Sequence, residues 1–198
     1  MDPAASLRIG CLVMAAGNAS RFGANKLAAE LDGRTLIERA LDAVPKGMFA
    51  AVCVASQYEG IEELAGKYGF AAIHNAHPDW GLSYTIRLGT QAMRACDGIL
   101  YLVADQPLLR RDSVQRIAEA WLRTPEKIAG ASHEGRRGNP NLFPARFFPE
   151  LLALEGDCGG NLVIKRHTED YLPVELAPEE LRDCDTPQEL AALRIQAE

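Results

Sequence analysis

Residues 9–26, IGCLVMAAGNASRFGANK, join a short apolar run to a loop of small and basic residues. The run Ile9–Met14 has the length and the continuous hydrophobicity of a strand that is buried on both faces. Small side chains in the following loop let backbone amides approach a ligand, and such N–H groups form an anion-binding nest. This stretch therefore predicts a parallel-sheet protein whose first strand leads into a ligand-binding loop.

The rest of the chain alternates strand-length apolar runs with segments of helical period. Further apolar runs predict strands at residues 49–55, 70–74, 98–104 and 127–132. Apolar residues at helical spacing predict helices over residues 35–44, 61–68, 83–95 and 114–122, the last with Trp121 and Leu122 on its buried face. This alternation favours an α/β fold, a three-layer sandwich with a Rossmann-like, mostly parallel sheet covered on both faces.

The last third of the chain is less regular. It predicts short strands at residues 140–143 and 171–176 and a helix over residues 147–154. A final helix follows Thr186, which can act as its N-cap, with Pro187 in the first helical position and Glu189 completing a capping box. Thr35 and Glu38 form the same kind of pair before the first predicted helix.

Composition narrows the class of protein. The chain has 198 residues, of which 21 are Lys or Arg and 27 Asp or Glu, so its net charge is −6. We expect a single domain over residues 1–198 that binds neither a membrane nor nucleic acid, because there is no apolar run of about 20 residues and no basic excess. The start lacks the pattern of a signal peptide, and scattered cysteines without a CxxC pair favour a reducing, cytoplasmic location.

The loop after the first strand carries two cations, Arg21 and Lys26. Together with the small residues, these cations predict a cradle for a triphosphate. A solvated turn with two surface charges is the alternative, and the segment alone fits both interpretations. Neither the GxxxxGK[ST] spacing of a P-loop nor the GxGxxG signature of a dinucleotide site is present.

A carboxylate follows the strand at residues 98–104, in Asp105-Gln-Pro107. Ligands of doubly wound sheets lie beyond the carboxyl ends of the strands, at the switch in strand order. With the usual order 3-2-1-4, Asp105 lies beside the small-residue loop, where a carboxylate facing phosphates requires a cation such as Mg²⁺. An Asx turn before the Gln-Pro pair is the alternative. Combined with the basic loop, the pattern favours the metal.

Several motifs follow one another in a fixed order along the chain. They are MAAGNASRFGANK at residues 14–26, Asn75 with residues 80–89, Asp105-Gln-Pro107, Gly138-Asn-Pro140, Gly156-Asp-Cys-Gly-Gly160 and Asp183-Cys-Asp-Thr-Pro187. The first is similar to the signature LAAGxSxRFGxxK, and the series resembles nucleotidyltransferases of the molybdenum cofactor cytidylyltransferase family. The chain departs from that family at Asn161, where Arg often stands, and this departure leaves the acceptor open.

The resemblance implies a fold of the nucleotide-diphospho-sugar transferase type and transfer of CMP from CTP to the phosphate of molybdenum cofactor. It implies Arg21, Lys26 and Asp105 as catalytic residues, with Mg²⁺ held by Asp105 and by Asp185 or its neighbour Asp183. The nucleotide-binding residues that it implies, in a half covering about residues 1–132, are Ala15, Ala16, Gly17, Arg21, Lys26, Asn75, Gly81, Ser83 and Thr85. The acceptor-binding residues that it implies, in a half covering about residues 133–198, are Asn139, Asp157, Gly159, Gly160 and Asp185.

The same resemblance bears on the base and on the partners. Members that use CTP resemble LAAG after the first strand and members that use GTP resemble LAGG, whereas this chain has Ala15-Ala16-Gly17. The Ala16 methyl group narrows the pocket, which suits a pyrimidine. Two alternatives stay open: another phosphorylated acceptor, such as methylerythritol phosphate or a sugar phosphate, and an accessory role in maturing a molybdenum hydroxylase without nucleotide transfer.

The sequence allows two interpretations of Ser83 and of residues 133–137, and it predicts which cysteines are accessible. Ser83 either contacts the base or ribose or caps the helix that follows it. Residues 133–137, HEGRR, form either an acceptor-binding loop or a solvated hairpin tip. Cys158 lies in a predicted loop and is expected to be accessible, while the other cysteines are expected to be buried.

Overall fold

A computed structural model describes residues 7–17 and 25–195. Within these ranges the strands are β1 (Ile9–Ala15), β2 (Glu30–Leu31), β3 (Arg34–Thr35), β4 (Ala51–Ser56), β5 (Ala71–His74), β6 (Gly98–Val103), β7 (Ile128–His133), β8 (Arg136–Pro144) and β9 (Tyr171–Glu175). The α-helices are α1 (Leu36–Asp42), α2 (Glu59–Lys67), α3 (Leu82–Ala92), α4 (Arg111–Arg123), α5 (Phe148–Leu152), α6 (Asn161–Arg166) and α7 (Pro187–Ile195).

One large sheet has the strand order β5-β4-β1-β6-β8-β7-β9. The strands β5, β4, β1 and β6 run parallel, and β8 lies antiparallel between β6 and β7. The edge strand β9 pairs in parallel with β7. The predicted order 3-2-1-4 is therefore confirmed for β5, β4, β1 and β6, and it brings the carboxyl ends of β1 and β6 side by side.

Helices cover both faces of this sheet. Successive side chains of a strand point to opposite faces, so Cys11 and Val13 of β1 belong to one apolar cluster and Leu12 to the other. Helices α1, α2, α4 and α7 contribute to the first cluster, and α3, α5 and α6 contribute to the second. The predicted three-layer α/β sandwich is confirmed.

Both predicted capping boxes are present. Thr35 Oγ1 accepts a hydrogen bond from the Glu38 backbone N–H at 3.3 Å, and the Glu38 carboxylate accepts one from the Thr35 N–H at 2.8 Å. At α7, Thr186 Oγ1 accepts from the Glu189 N–H at 3.2 Å. The Glu189 carboxylate accepts from the N–H groups of Thr186 and Asp185, both at 2.8 Å. The second box thereby fixes the backbone of Asp185 at the start of the helix.

Some element ends and one buried face differ from the predictions. Strand β8 begins at Arg136 instead of residue 140, because it extends into a hairpin in which Arg136 pairs with His133. Helix α5 is shorter than predicted, since residue 147 belongs to a preceding 3₁₀ turn and the helix ends at Leu152 instead of residue 154. Trp121 is buried as predicted. Leu122 is 43% exposed, so the prediction that it lies on the buried face is wrong. At 3.6 residues per turn it lies about 80° from Val114, outside the apolar stripe.

Smaller features agree with the sequence. All five cysteines are free, and Cys158 is exposed while the other four are buried. Residues 133–137 form a hairpin tip in which Arg136 and Arg137 are exposed. In the part of the chain that is described, no helix has both the length and the apolar character needed to cross a lipid bilayer.

A buried carboxylate joins the start of α4 to the 3₁₀ turn Pro178–Leu181. Glu180 is 1% exposed and accepts hydrogen bonds from the Arg110 backbone N–H at 3.0 Å and from its guanidinium at 2.7 Å. Desolvation by burial raises the pKa of Glu180, but the hydrogen bonds from Arg110 and Ser113 outweigh it and hold the pKa below its ordinary value. This contact anchors the turn that leads into residues 183–185.

We expect Glu180→Gln to lower the free energy of unfolding by about 1–3 kcal/mol at neutral pH, because a buried ionic acceptor is lost. Folding lowers the pKa of Glu180, so its contribution is present above about pH 4.5 and is lost as the pH falls through the folded-state pKa. Urea unfolding at neutral pH and near pH 4 measures both effects, with the exposed neighbour Glu179→Gln as the control. A deficit of equal size at both pH values would contradict this account.

Candidate active site

Three charged side chains from distant parts of the chain meet beyond the carboxyl end of the sheet. Lys26 Nζ donates to Asp105 Oδ2 at 2.8 Å and to Asp185 Oδ1 at 2.7 Å. Lys26 opens a short 3₁₀ turn that the side chain of Asn25 caps, Asp105 follows β6, and Asp185 precedes α7. The side chain of Lys26 is 14% exposed and that of Asp105 is 25% exposed. The sequence prediction that Lys26 and Asp105 lie together is therefore met.

Two further contacts hold the acidic segment 183–185 against the end of β6. The Cys184 backbone N–H donates to the Asp105 carbonyl at 2.8 Å. Gln106, which is buried, donates through Nε2 to Asp183 Oδ1 at 3.0 Å and to the Leu181 carbonyl at 3.3 Å. Sequence reasoning assigns no role to Gln106, and its place beside Asp105 in the Asp-Gln-Pro motif is the only signal for one.

Among the described residues of this cluster, negative charges outnumber positive charges. Desolvation works against the charged form of Lys26, but the charges of Asp105 and Asp185 outweigh it and raise the pKa of Lys26 above its ordinary value. Desolvation, together with the charges of Asp105 and Asp185, raises the pKa of Asp183. Among the described residues here, three carboxylates face one ammonium group. The surplus of negative charge favours binding of a further cation.

The loop after β1 is held by residues at the end of β4. Ser56 Oγ donates to the Ala15 carbonyl at 3.2 Å, and Gln57 Nε2 donates to the Ala16 carbonyl at 3.0 Å. Ala15 and Ala16 are buried, whereas Gly17 is exposed. The backbone that the sequence predicts as a phosphate cradle therefore starts from a fixed position.

The segment between β5 and α3 forms a second wall. Asn75 is 1% exposed; its Nδ2 donates to Thr85 Oγ1 at 3.0 Å, and its Oδ1 accepts from the His77 N–H at 2.9 Å. Thr85 lines the cavity described below, and Asn75 lies behind it. Asn75, which the resemblance assigns to nucleotide binding, thus orients Thr85 and the turn at His77.

Ser83 lies deeper than its predicted roles suggest. It is fully buried, and its Oγ has no hydrogen-bond partner within the described ranges. Helix α3 begins at Leu82 with Gly81 in the N-cap position, so the interpretation of Ser83 as the helix cap is wrong. Contact of Ser83 with a nucleotide stays a prediction.

The N-terminus of α3 is capped from a distant loop. The Leu82 N–H donates to Asp157 Oδ1 at 3.3 Å, and the Ser83 N–H donates to the Gly156 carbonyl at 3.3 Å. Gly81 has φ 84° and ψ −179°, a conformation that is essentially restricted to glycine. A Cβ on Gly81 would lie 2.4 Å from the Gly156 carbonyl oxygen. This backbone contact joins the predicted acceptor half to the nucleotide half.

These elements surround a cavity of about 650 Å³. The sequence-predicted site residues that line it are Ala16, Gly17, Lys26, Gly81, Thr85, Asp105, Asp157 and Asp185. The other lining residues are Met14, Leu27, Pro78, Asp79, Trp80, Leu82, Val103 and Gly156. The predicted catalytic residue Arg21 falls within residues 18–24, outside the described residues. Sequence reasoning missed Asp79 and Trp80, although Trp80 opens one of the family-like motifs.

Three residues predicted to bind the acceptor lie outside this lining. Asn139 Oδ1 accepts a hydrogen bond from within its own strand at 3.0 Å. A Cβ on Gly159 would lie 2.9 Å from the Leu82 side chain, and one on Gly160 would lie 2.8 Å from the Phe143 ring. The two glycines therefore permit close packing of their loop, and their contact with an acceptor stays a prediction.

Comparison with protein families decides the general activity. Residues 11–171 match the family described as MobA-like NTP transferase domain. The chain belongs to the MobA-like NTP transferase family. It is therefore a nucleotidyltransferase, as the resemblance of its motifs implies.

Individual proteins are similar to this chain over nearly its whole length. Purine catabolism protein PucB of Bacillus subtilis (strain 168) is 28% identical over 194 residues, which cover 91% of this chain and 93% of that protein. A nucleotidyl transferase from Methanothermobacter thermautotroptrophicus has a TM-score of 0.77 at 22% identity, covering 96% of this chain and 97% of that one. Its similarity confirms the predicted fold.

Two similar folds were solved with bound ligands. Rv0371c of Mycobacterium tuberculosis H37Rv, in complex with manganese, has a TM-score of 0.75 at 19% identity, covering 95% of this chain and 98% of that one. The CMP:2-keto-3-deoxy-manno-octonic acid synthetase, in complex with CTP, has a TM-score of 0.75 at 13% identity, covering 96% and 98%. The fold of this chain is thus one that elsewhere holds a divalent metal and a nucleoside triphosphate.

We expect Gly81→Ala to lower the free energy of unfolding by about 1–3 kcal/mol, because a side chain strains this backbone conformation and collides with Gly156. It should also reduce nucleotide-dependent turnover, since it moves Gly81 away from Gly156 and both residues line the cavity. Urea unfolding and pyrophosphate release measure the two effects. Gly66→Ala in α2 is the matched control, because a Cβ there meets nothing within 4 Å. If both variants were equally stable, the contact at Gly81 would not be needed.

Proposed function

We propose that this MobA-like protein transfers CMP from CTP to the phosphate of molybdenum cofactor and releases pyrophosphate. The observation that carries the proposal is the convergence of Lys26, Asp105 and Asp185 in a cavity that Ala16 and Gly17 also line. A cationic side chain and carboxylates able to hold a metal are the groups that phosphoryl transfer requires in one place.

The acceptor phosphate supplies its own nucleophile. A phosphate monoester has a second pKa of about 6, so it is mostly deprotonated at neutral pH. One of its oxygens bonds to the α-phosphorus of CTP, the bond to the bridging oxygen breaks, and pyrophosphate leaves with the bonding electrons. No general base is needed, and the protein contributes alignment and charge stabilisation. Lys26 would stabilise the charge that develops on pyrophosphate, together with Arg21, whose catalytic role is predicted from the sequence.

The carboxylates fit Mg²⁺ as the cofactor. Asp105 and Asp185 present oxygens to a single cation, the Lys26 ammonium group, at 2.8 Å and 2.7 Å. Oxygen donors of this kind are the ones that Mg²⁺ prefers, and when bound the ion would supply positive charge to the phosphates. Asp183 is the less suitable ligand, because Gln106 already engages its Oδ1. The manganese complex of a structural relative supports divalent-metal use.

The part of the cavity lined by the buried residues Ala16 and Thr85 favours CTP as the nucleotide. Ala16 is 4% exposed and its carbonyl is held by Gln57. Its methyl group would take space that a purine needs. Thr85 is held by Asn75 and lines the same cavity, where its hydroxyl can contact a base or ribose. The structural relative in complex with CTP supports a pyrimidine nucleotide for this fold.

Molybdenum cofactor is the proposed acceptor because the family-like motifs continue from the nucleotide loop to Asp185. Residues 1–132 would bind the nucleotide and residues 133–198 the acceptor, with Asp185 completing the metal site from the second half. A molybdenum hydroxylase would receive the product.

A second candidate function is that of an accessory protein, which would carry the cofactor to a hydroxylase without transferring a nucleotide. The name of the Bacillus subtilis relative, a purine catabolism protein, favours this alternative. Pyrophosphate release from CTP and Mg²⁺, with and without molybdenum cofactor, separates the two, because a carrier releases none. A panel of other phosphorylated acceptors in the same assay tests the remaining alternative.

We expect Asp105→Asn to lose nearly all pyrophosphate release, because the amide cannot hold Mg²⁺ as a carboxylate does. The fold should persist, since the side chain faces the cavity. Thermal unfolding, together with turnover at several Mg²⁺ concentrations, checks both points. Asp112→Asn, an exposed position in the first turn of α4, is the control and should turn over normally. Near-normal release by Asp105→Asn would end the assignment.

We expect the wild-type protein to prefer CTP over GTP and Ala16→Gly to narrow that preference. One methyl group in a pocket is worth only about 1–3 kcal/mol, so relaxation of the preference should be partial. The measurement is kcat/KM for each triphosphate with the same acceptor in both proteins. An unchanged ratio would place base selection elsewhere, in the segment that contains Thr85.

A further inference from the structure

Trp80 offers a flat aromatic surface to the cavity. The His77 ring stacks on it, with centroids 4.0 Å apart and planes 7° apart, and the Tyr84 ring contacts it edge-on at 4.9 Å. Trp80 is nevertheless 49% exposed, and it lines the cavity. One face of the indole is therefore covered, while much of the ring stays accessible to a ligand.

The position of this ring is well determined by its surroundings. Trp80 ends the 3₁₀ turn Pro78–Trp80, and Gly81, which follows, is held against the backbone of Gly156. The stack on His77 restricts the indole further. An aromatic side chain that is already fixed loses little conformational entropy when a ligand stacks on it, which favours binding.

The cavity has an inner part and a rim. Ala16 and Thr85, which are each only 4% exposed, line the inner part. Trp80 and Asp79 are exposed and lie at the rim. If CTP occupies the inner part, as in the proposed function, the rim is the surface left for the ring of the acceptor.

We propose that Trp80 is the platform on which the pterin ring of the acceptor stacks, with Asp79 accepting hydrogen bonds from its N–H groups. This inference rests on the proposed function. A flat bicyclic ring stacks well on indole, and stacking of heterocycles on aromatic side chains is a strong contact. Pterin carries an amino group beside a ring N–H, and a carboxylate, which is an acceptor with two oxygens, matches that pair of donors.

The test measures the binding of pterin alone to the whole chain. Binding is detected by the quenching of the fluorescence of pterin itself. We expect saturable quenching by the wild-type protein. Trp80→Leu should weaken binding about fivefold to a hundredfold, whereas Trp80→Phe should keep most of it, because an aromatic face remains. Leu122→Ala removes an exposed apolar side chain outside the cavity lining and should bind pterin as the wild type does.

Lumazine and cytidine are two further ligands that test which ring binds and how it is recognised. Lumazine has the same bicyclic ring with an oxygen in place of the amino group, so the wild type should bind it more weakly than pterin, and Asp79→Asn should remove that difference. Equal wild-type binding of both rings would overturn the part assigned to Asp79. Unchanged pterin binding by a folded Trp80→Leu variant, or loss of cytidine binding instead of pterin binding, would overturn the platform.

Pyrophosphate release distinguishes failure of this inference from failure of the proposed function. If no CMP is transferred but pterin binding still depends on Trp80, the proposed function fails and the platform stands. If CMP is transferred to molybdenum cofactor and Trp80→Leu leaves the KM for that cofactor unchanged, the platform fails and the proposed function stands.

Discussion

The interaction on which the site depends is the pair of ion contacts that Lys26 makes with Asp105 and Asp185. These partners lie 79 and 159 positions away in the sequence, so the contacts form only in the complete fold. The strand order places β6 beside β1, and the capping box of α7 places Asp185 opposite them. Holding these charges partly out of water costs free energy that close pairing must offset. Such a concentration of charge is typical of a site for charged ligands.

A second constraint joins the two sides of the cavity through backbone atoms. Asp157 accepts a hydrogen bond at the N-terminus of α3, where a negative charge also interacts favourably with the helix dipole. Gly81 allows the chain to pass close to Gly156 where any side chain would collide. The segment that carries Trp80 and the loop at Gly156, which both line the cavity, are therefore joined by main-chain contacts. Transfer between two bound substrates requires such alignment.

The sequence was informative where the determinant is local or follows from strand order. A capping box requires only a three-residue spacing, and the order 3-2-1-4 places Asp105 beside the loop that leads to Lys26. Roles that depend on tertiary contacts were not predictable. Serine is a residue type that often caps helices, so Ser83 is a reasonable candidate for the cap of α3. Instead, Asp157 from a distant loop accepts the hydrogen bond at the start of that helix. The exposure of Trp80 likewise depends on how His77 stacks against it, and no spacing in the sequence encodes that contact.

The inner part and the rim of the cavity differ in how sharply they can select a ligand. Ala16 is buried and its carbonyl is held by Gln57, so on the proposed function its methyl group limits the size of the base. At the rim, Trp80 can stack on any flat ring, since every such ring has a π face, and water competes for Asp79. Stacking on Trp80 is therefore not selective by itself, and pairing with Asp79 adds only a preference for a ring with adjacent N–H donors. On the proposed function, an acceptor is chosen only if its ring reaches Trp80 while its phosphate reaches the α-phosphorus. The contact between Gly81 and Gly156 positions the segment that carries Trp80, so on the proposed function a main-chain contact helps to determine which acceptors can reach both places.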